Sequence, residues 1–186
     1  PPSARRPPSS ARRTSRAAHA SAFAHFRAGP LPAFSARMSA PRQILPGQCY
    51  LLSRRCTQRQ LLLQPCPEVN NAFVYCLAEA AARFGIVVLL TVAEANHHHT
   101  VFYDPDGRAP QFIEHFHRTL ARCLNAFRGR YENFWNSSAV SYVRLLDLPT
   151  IIAKLVYAAI NPVKDHLVAR VHHWPGVHTL AALRTG

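Results

Sequence analysis

The stretch IVVLLTVAEANHHHTVFY, residues 86–103, predicts two strands joined by a short connection. The apolar run at 86–93 is typical of a central, buried strand, and the second strand, 97–103, opens with three histidines. Because side chains alternate along a strand, His97 and His99 point to one face and His98 to the other. Two imidazoles on one face are half of a metal site, and the alternative is that the histidines are packed, solvated or adventitious metal binders.

The segments around this stretch complete a recognisable order of elements. Strands are predicted at 48–56 and 138–146, and helices at 67–84 and 109–127, each helix with an apolar stripe at helical spacing. A third helix opens at 148–150 and ends at Pro162, because the residue before proline is disfavoured in the α region. The order predicts an α+β fold: a ferredoxin-like (split βαβ) antiparallel sheet with helices on one face, an added C-terminal helix and the other face free for function.

The third helix carries Tyr157 and Asn161, four residues apart and therefore on one face. Asn161 is predicted at the C-terminal end of the helix, where the dipole favours a cation. An asparagine oxygen is a hard ligand, and together with two imidazoles it suits Mg²⁺ or Mn²⁺. Tyr157 would lie one turn from that metal, facing a bound phosphodiester, and its hydroxyl, with a reference pKa of about 10, would need help to lose its proton.

Arginine dominates the charge of the chain. The 186 residues include 22 Lys and Arg, of which 20 are Arg, against 9 Asp and Glu, for a net charge of +13. Guanidinium groups match phosphate oxygens and stack on bases, so this composition favours nucleic acid as a partner. The alternative for the arginine bias is a GC-rich genome, which favours arginine codons whatever the function.

Six basic residues are candidates for binding DNA. They are Arg54, Arg55, Arg59, Arg128, Arg130 and Lys164. The first three follow the predicted first strand, where the alternative is a solvated loop. The next two precede aromatic residues that could stack bases, although a loop that caps the core is the slightly favoured alternative there. The lysine lies just beyond the third helix.

The cysteines and the apolar runs indicate a cytoplasmic protein. The five cysteines are odd in number and include no CxxC pair, which predicts free thiols in a reducing compartment. The apolar runs are shorter than a membrane span, and residues 1–37 lack the apolar core of a signal peptide. We therefore expect no membrane partner.

Residues 1–37 differ from the rest in composition. They are rich in Pro, Ala and Ser and contain seven Arg and no acidic residue, which predicts a low-complexity basic segment without stable structure. An over-extended reading frame, a tail that grips phosphates and a transit peptide are the alternatives. Met38, the single methionine, starts the predicted catalytic domain at 38–180, and 181–186 is a tail. Without 1–37 the chain has 15 basic and 9 acidic residues.

Three motifs, in the right order and at the right distances, carry a resemblance to a known family. They are Asn96-His97-His98-His99, the Tyr-x-x-x-Asn-Pro-Val run at 157–163, and Trp174-Pro175. Together with the tyrosine and arginines of the first strand, they resemble the HUH single-tyrosine transposases of the insertion-sequence-200-like type. The REP-associated tyrosine transposases are the most similar in appearance, over about residues 45–178.

The resemblance implies a mechanism. His97 and His99 would be the metal pair, Asn161 the third ligand, and Tyr157 the nucleophile that attacks a single-stranded DNA phosphate to give a 5′-phosphotyrosine. Single-stranded or hairpin DNA would be the partner, the cofactor Mg²⁺ or Mn²⁺, the protein a monomer or homodimer, and the location a bacterial cytoplasm at the nucleoid.

Some positions depart from the family pattern. His98 stands where the family usually has a hydrophobic residue, and Glu94-Ala95 replaces the usual pair before the Asn-His. His98 must then face the helix layer or find a polar partner. A non-catalytic or degenerate nucleic-acid-binding module on the same fold is the rival function, although the chain lacks the RNP1 pattern of RNA-binding sheets.

Overall fold

Residues 43–180 are described by the computed structural model, and they fold around a four-stranded sheet. The strands are β1 (Gln48–Arg55), β2 (Val87–Ala93), β3 (His97–Asp104) and β4 (Ser141–Leu145). The helices are α1 (Pro67–Phe84), α2 (Ala109–Phe127), α3 (Leu148–Ala159) and the short α4 (Asn161–Lys164). The predicted segment 1–37 and tail 181–186 lie outside the described residues, so the domain boundaries stay predictions.

The sheet has the strand order β2-β3-β1-β4, and every neighbouring pair is antiparallel. This arrangement follows from the β-α-β-β-α-β order and confirms the predicted fold class. In the pairing of β1 with β3, Ser53 lies opposite His99 and Arg55 lies opposite His97. The end of β1 therefore runs beside the histidines.

Helices α1 and α2 cover one face of the sheet and form the main core with it. Pro67 starts α1, and Gly85 ends it in the left-handed region, with a φ of 67° that glycine adopts without a steric penalty. The largest fully buried side chains of this core are aromatic or aliphatic and include Phe73, Phe102, Phe112, Phe116 and Leu120.

The face of the sheet that we expected to be free carries α3. Ala158 and Ala159 of this helix pack against Leu90 and Val92 of β2, and Leu155 lies against a second apolar cluster built on β1, β3 and β4. The expectation of an open face is thus wrong over this part of the sheet. The apolar stripe of α3 is the physical reason, since it has to be buried against another element.

The end of α3 differs from the predicted one. The Asp147 carboxylate accepts a hydrogen bond from Thr150 N at 2.7 Å and caps the start of the helix. The helix ends at Ala159, and Asn161 begins α4 with Pro162 in its first turn. Proline is tolerated there because its missing N–H needs no partner. Asn161 is therefore not the last residue of the tyrosine helix, and the dipole argument made for it does not hold in that form.

The segment that follows α4 returns to the start of the histidine hairpin. Trp174 Nε1 donates to the carbonyl oxygen of Ala93 at 2.9 Å, and the carbonyl of Pro175 accepts from Asn70 Nδ2 at 2.9 Å. The Trp-Pro motif thus ties this segment to β2 and α1. Within residues 43–180, no helix is both long and apolar enough to cross a membrane.

Candidate metal and tyrosine site

The alternation of β3 places two of its three histidines towards α3. His97 and His99 are 7% and 8% exposed, and their ring centroids lie 5.0 Å apart. The segments around α3 partly cover both rings. A cavity lies beside the rings and is lined by the end of β1. The two imidazoles that the sequence predicted on one face are indeed brought together.

Hydrogen bonds hold both rings by the same nitrogen. His99 Nδ1 lies 2.6 Å from Ser53 Oγ, the residue opposite it on β1. His97 Nδ1 lies 2.7 Å from Asn96 Oδ1 and 3.5 Å from a carboxylate oxygen of Glu94. Such partners orient an imidazole and leave its Nε2 for a metal ion.

Asn161 approaches the pair from the other side. Its side-chain nitrogen lies 3.4 Å from His97 Nε2, and the residue is 3% exposed. Because the oxygen and nitrogen of an amide are assigned rather than seen, a rotated amide would present its oxygen at the same place. The three predicted ligands therefore meet, although Asn161 comes from α4 and not from α3.

Tyr157 completes the group. Its ring meets the ring of His99 edge to face at 5.5 Å between centroids. Lys164 Nζ lies 4.9 Å from the centroid of the Tyr157 ring, and Lys154 Nζ lies 5.6 Å from it. These two ammonium groups would attract a phosphate that approaches the tyrosine.

Burial keeps His97 and His99, the two histidines that face α3, neutral. It lowers the pKa of His99 to about 4, and the neighbouring His97 adds to the effect. It also lowers the pKa of His97, with Arg55 as the next cause. Neutral imidazoles are the form that binds a metal ion, so neither ring has to lose a proton at neutral pH.

Two carboxylates that we did not predict as site residues lie beside the histidines. Ligand atoms of Glu94, His97 and Asp165 all lie within 4.8 Å of one another. Glu94 is 4% exposed, and its Oε1 has no hydrogen-bond partner among the described residues. Burial, followed by the negative charge of Asp165, raises the pKa of Glu94 to about 7. A divalent cation fits this group, because it would satisfy the free oxygen and favour the ionised carboxylate.

The sequence contains a spacing signal for one of these carboxylates, Asp165, and none for the other, Glu94. Asp165 lies four residues after Asn161 and eight after Tyr157, so the three follow helical spacing. Glu94 lies three residues before His97, in the connection between two strands, where spacing does not fix the direction of a side chain. Only the folded hairpin shows that Glu94 turns towards the histidines.

The predicted basic residues divide into two groups. Arg54, Arg55 and Arg59 line a cavity of about 460 Å³ together with His97 and His99, and Lys164 lies at Tyr157. The other two basic residues, Arg128 and Arg130, do not line this cavity. Arg128 Nε donates to the carbonyl of Leu62 at 3.2 Å, and Arg130 pairs with Glu132 at 3.6 Å. Four of the six therefore surround the candidate site.

A solved structure of a REP-associated tyrosine transposase bound to a REP hairpin has a similar architecture. Its TM-score is 0.63, with 16% sequence identity over 77% of this chain and 83% of that chain. The two proteins share a fold. The resemblance drawn from the motifs is confirmed at the level of the fold.

The other comparisons add less. A second solved protein, named as a transposase of Deinococcus radiodurans, is 19% identical over 67% of this chain and 97% of its own, with a TM-score of 0.45 that supports no inference. No protein-family model and no curated protein matches the chain.

The middle histidine has a structural place on the opposite face. His98 is fully buried, and its Nε2 lies 2.9 Å from Nε2 of His117 while its Nδ1 lies 3.1 Å from Thr100 Oγ1. Burial lowers the pKa of both histidines well below the usual value, so the pair is neutral. His98 thus faces the helix layer and also has polar partners. His117, on α2, is buried, and its Nδ1 is unpaired among the described residues.

The aromatic loop before β4 caps the core instead of offering rings to bases. Phe134 and Trp135 are 3% and 8% exposed, and Trp135 Nε1 donates to the carbonyl of His117 at 2.9 Å. Tyr131 alone among the three aromatic residues of 131–135 projects into solvent, at 99% exposure. The alternative that we slightly favoured for this loop therefore accounts for two of its three rings.

Proposed function

We propose that the chain is a single-tyrosine DNA transposase that cleaves and rejoins single strands through a 5′-phosphotyrosine. The observation that carries the proposal is the approach of Tyr157 to His99, with His97 and Asn161 beside them. A tyrosine oxygen next to a set of metal ligands is the arrangement that phosphodiester attack needs. The shared fold with a transposase supports the same conclusion.

The residues present fit a divalent metal ion. His97 and His99 would supply Nε2, Asn161 its side-chain oxygen, and the carboxylates of Glu94 and Asp165 lie close enough to add negative charge. Oxygen and imidazole donors of this kind suit Mg²⁺ or Mn²⁺. When bound, the ion would polarise the phosphate and neutralise part of its charge.

The chain's own residues position the reacting groups. Ser53 and Asn96 hold the two imidazole rings, and Lys164 and Lys154 flank the ring of Tyr157. The Tyr157 oxygen attacks phosphorus and its proton leaves to solvent, while the bond from phosphorus to the 3′-oxygen breaks and that oxygen takes up a proton. The phosphotyrosine conserves the free energy of the phosphodiester, so attack by a 3′-hydroxyl rejoins a strand without ATP.

The substrate we propose is single-stranded DNA that borders a hairpin. The solved transposase with the same fold is bound to a REP hairpin, and three arginines lie beside the histidines of this chain. We place the protein in a bacterial cytoplasm, at the nucleoid, as a monomer or homodimer. The substrate, the location and the oligomeric state proposed here all depend on the proposed phosphotyrosine chemistry.

Replacing Tyr157 with phenylalanine tests the proposal. Tyr157→Phe removes only the attacking oxygen and keeps the packing against His99, so hairpin binding should persist while cleavage and the covalent adduct disappear. The assay is an end-labelled hairpin oligonucleotide incubated with Mg²⁺ or Mn²⁺ and run on a denaturing gel. Tyr131→Phe is the matched control, because Tyr131 is 99% exposed.

Two results would contradict this function. An adduct that persists in Tyr157→Phe would place the nucleophile elsewhere. A wild-type protein that binds the hairpin but forms no adduct with either metal would support the non-catalytic, degenerate module instead.

A further inference from the structure

Two cysteines meet between the helices α1 and α2. The sulfur atoms of Cys76 on α1 and Cys123 on α2 lie 4.0 Å apart, so both side chains point into the same contact. A disulfide bond is about 2.05 Å long, and the two sulfur atoms therefore have to approach each other by about 2 Å. Side-chain rotation is sufficient for a movement of this size. No other pair among the five cysteines, all of which lie in the described part of the chain, makes a sulfur–sulfur contact.

The two thiols differ in their access to solvent. Cys123 is exposed, whereas Cys76 is fully buried. Burial, followed by the neighbouring Cys123, raises the pKa of Cys76 to about 12, so that its thiol stays protonated at neutral pH. The thiolate is the form of cysteine that reacts with oxidants. An oxidant from solvent therefore reacts first with Cys123, and the sulfur of Cys76 lies directly behind it.

The contact belongs to the helix layer and not to the candidate metal and tyrosine site. Cys76 is part of the main core, which also contains Phe73 and Phe116. Both rings pack against His98, the β3 histidine that faces the helix layer. Tyr157 lies on the other face of the sheet, on α3. A bond between the two cysteines would therefore form without contact to the proposed catalytic residues.

We propose that Cys76 and Cys123 form a reversible disulfide when the protein meets hydrogen peroxide. Cys123 is the thiol that peroxide oxidises, and Cys76 is the thiol that resolves the product. The inference goes beyond the proposed DNA chemistry and does not depend on it. It is compatible with a reducing compartment, where protein disulfides are formed transiently.

The reaction has two steps. The sulfur of Cys123 takes one oxygen atom from peroxide, which gives a sulfenic acid and releases one water molecule. The sulfur of Cys76 then bonds to the sulfur of Cys123, and the sulfenic hydroxyl leaves with the Cys76 proton as a second water molecule. The two thiols lose two protons and two electrons in total, and these reduce peroxide to water. A small thiol reverses the oxidation by thiol–disulfide exchange.

The pair would protect the exposed cysteine of the chain from permanent damage. Cys123 is the one cysteine of the five that is exposed. A sulfenic acid without a partner is oxidised further to sulfinic and sulfonic acids, which small thiols do not reduce. Because the sulfur of Cys76 is already 4.0 Å away, disulfide formation is favoured by proximity over a second encounter with peroxide.

Peptide mapping by mass spectrometry after treatment with hydrogen peroxide tests the inference. In the wild type, the peptides that contain Cys76 and Cys123 should appear joined, with a mass lower by two hydrogen atoms. Dithiothreitol should separate them and restore their original masses. Alkylation of the denatured protein should label five cysteines before oxidation and three after it.

Three variants distinguish the roles of the two thiols. Cys76→Ala removes the resolving thiol, so Cys123 should become a sulfinic or sulfonic acid that dithiothreitol does not reduce. Cys123→Ala removes the exposed thiol, and Cys76 should then stay reduced. Cys66→Ser is the control, because it removes a thiol at the N-cap of α1, where serine is favoured. This control should form the disulfide as the wild type does.

Two results would overturn the inference. One is a wild type whose Cys76 stays reduced while Cys123 gains oxygen or links two protein molecules. The other is equal irreversible oxidation of Cys123 in the wild type and in Cys76→Ala. Because the assay contains no DNA, its result does not depend on whether the protein forms a phosphotyrosine.

Discussion

At the residue scale, Asp165 would add a carboxylate to the proposed metal ligands His97, His99 and Asn161. Its N–H donates to the carbonyl of Asn161 at 2.9 Å, which fixes Asp165 one turn after Asn161 at the end of α4. Its carboxylate lies close to the histidines on the exposed side of the group, with Glu94 on the buried side. Carboxylates bind hard divalent cations more strongly than neutral donors do.

We expect Asp165→Asn to weaken Mn²⁺ binding by about 10- to 100-fold, the range typical when a group that supports the ligands of a metal site is replaced. Isothermal titration calorimetry on the DNA-free protein measures this directly and does not depend on cleavage. Asp106→Asn, an exposed change in the turn after β3, is the control and should have no effect. Equal affinity in Asp165→Asn and wild type would exclude Asp165 as a ligand.

At the scale of the element, α3 sets the distance from Tyr157 to the histidines. Ala158, the residue after Tyr157, is fully buried against Leu90 and Val92 of β2. Such small residues let the helix lie close to the sheet, and the close approach brings the Tyr157 ring into contact with His99. The position of the tyrosine therefore depends on side chains that have no chemical role.

A larger residue at this contact should move the helix. Ala158→Leu overfills the contact and should cost about 1–3 kcal/mol in the free energy of unfolding. It should also slow adduct formation, because Tyr157 would move away from the metal ligands. Ala153→Leu, on the exposed side of the same helix, is the control. Urea denaturation and the gel assay measure the two effects, and an unchanged adduct rate in a destabilised Ala158→Leu would show that α3 does not set the geometry.

At the scale of the whole molecule, net charge and its distribution have different consequences. The chain has a net charge of +13, and the part beyond residue 37 keeps 15 basic against 9 acidic residues. Three of these arginines line the cavity beside His97 and His99, and Arg118 and Arg122 of α2 line a neighbouring cavity. Part of the positive charge of the domain therefore lies where we propose that DNA binds.

A protein that lacks residues 1–37 should still bind the hairpin. Its affinity should decrease as salt increases, because Arg54, Arg55 and Arg59 beside the histidines are retained. Anisotropy titrations of the full chain and the truncated chain at several salt concentrations provide the comparison. Loss of all measurable binding on truncation would instead locate the DNA contacts in the removed segment.

Much of the site was predictable because it depends on local geometry. Alternation along β3 is enough to place His97 and His99 on one face, and helical spacing relates Tyr157 to Asn161. Glu94 was missed, since no periodic pattern fixes a side chain in the connection between β2 and β3. The end of α3 was placed too late because proline can start a new helix as readily as it ends one.

The buried histidines show a second limit of prediction. On α2, spacing alone gives the angle between His115 and His117, but not which of them faces the core. His117 is buried because His98 meets it across the core from β3 at 2.9 Å, whereas His115 pairs with Glu79 of α1 at 2.6 Å. The positions of His117 and His115 therefore each depend on a partner residue in another element.

The amino-acid sequence by itself determined the order of the elements, the face on which each β3 histidine lies and the basic character of the molecule. These properties arise from spacing along one strand or helix and from composition. Tertiary structure decided that Tyr157 meets His99, that Asn161 reaches His97 across 64 residues of sequence, and that Arg54 joins two cavities. Such contacts depend on strand register and on how closely α3 packs on the sheet, and both are set by the combined burial of side chains from several elements, not by any one segment.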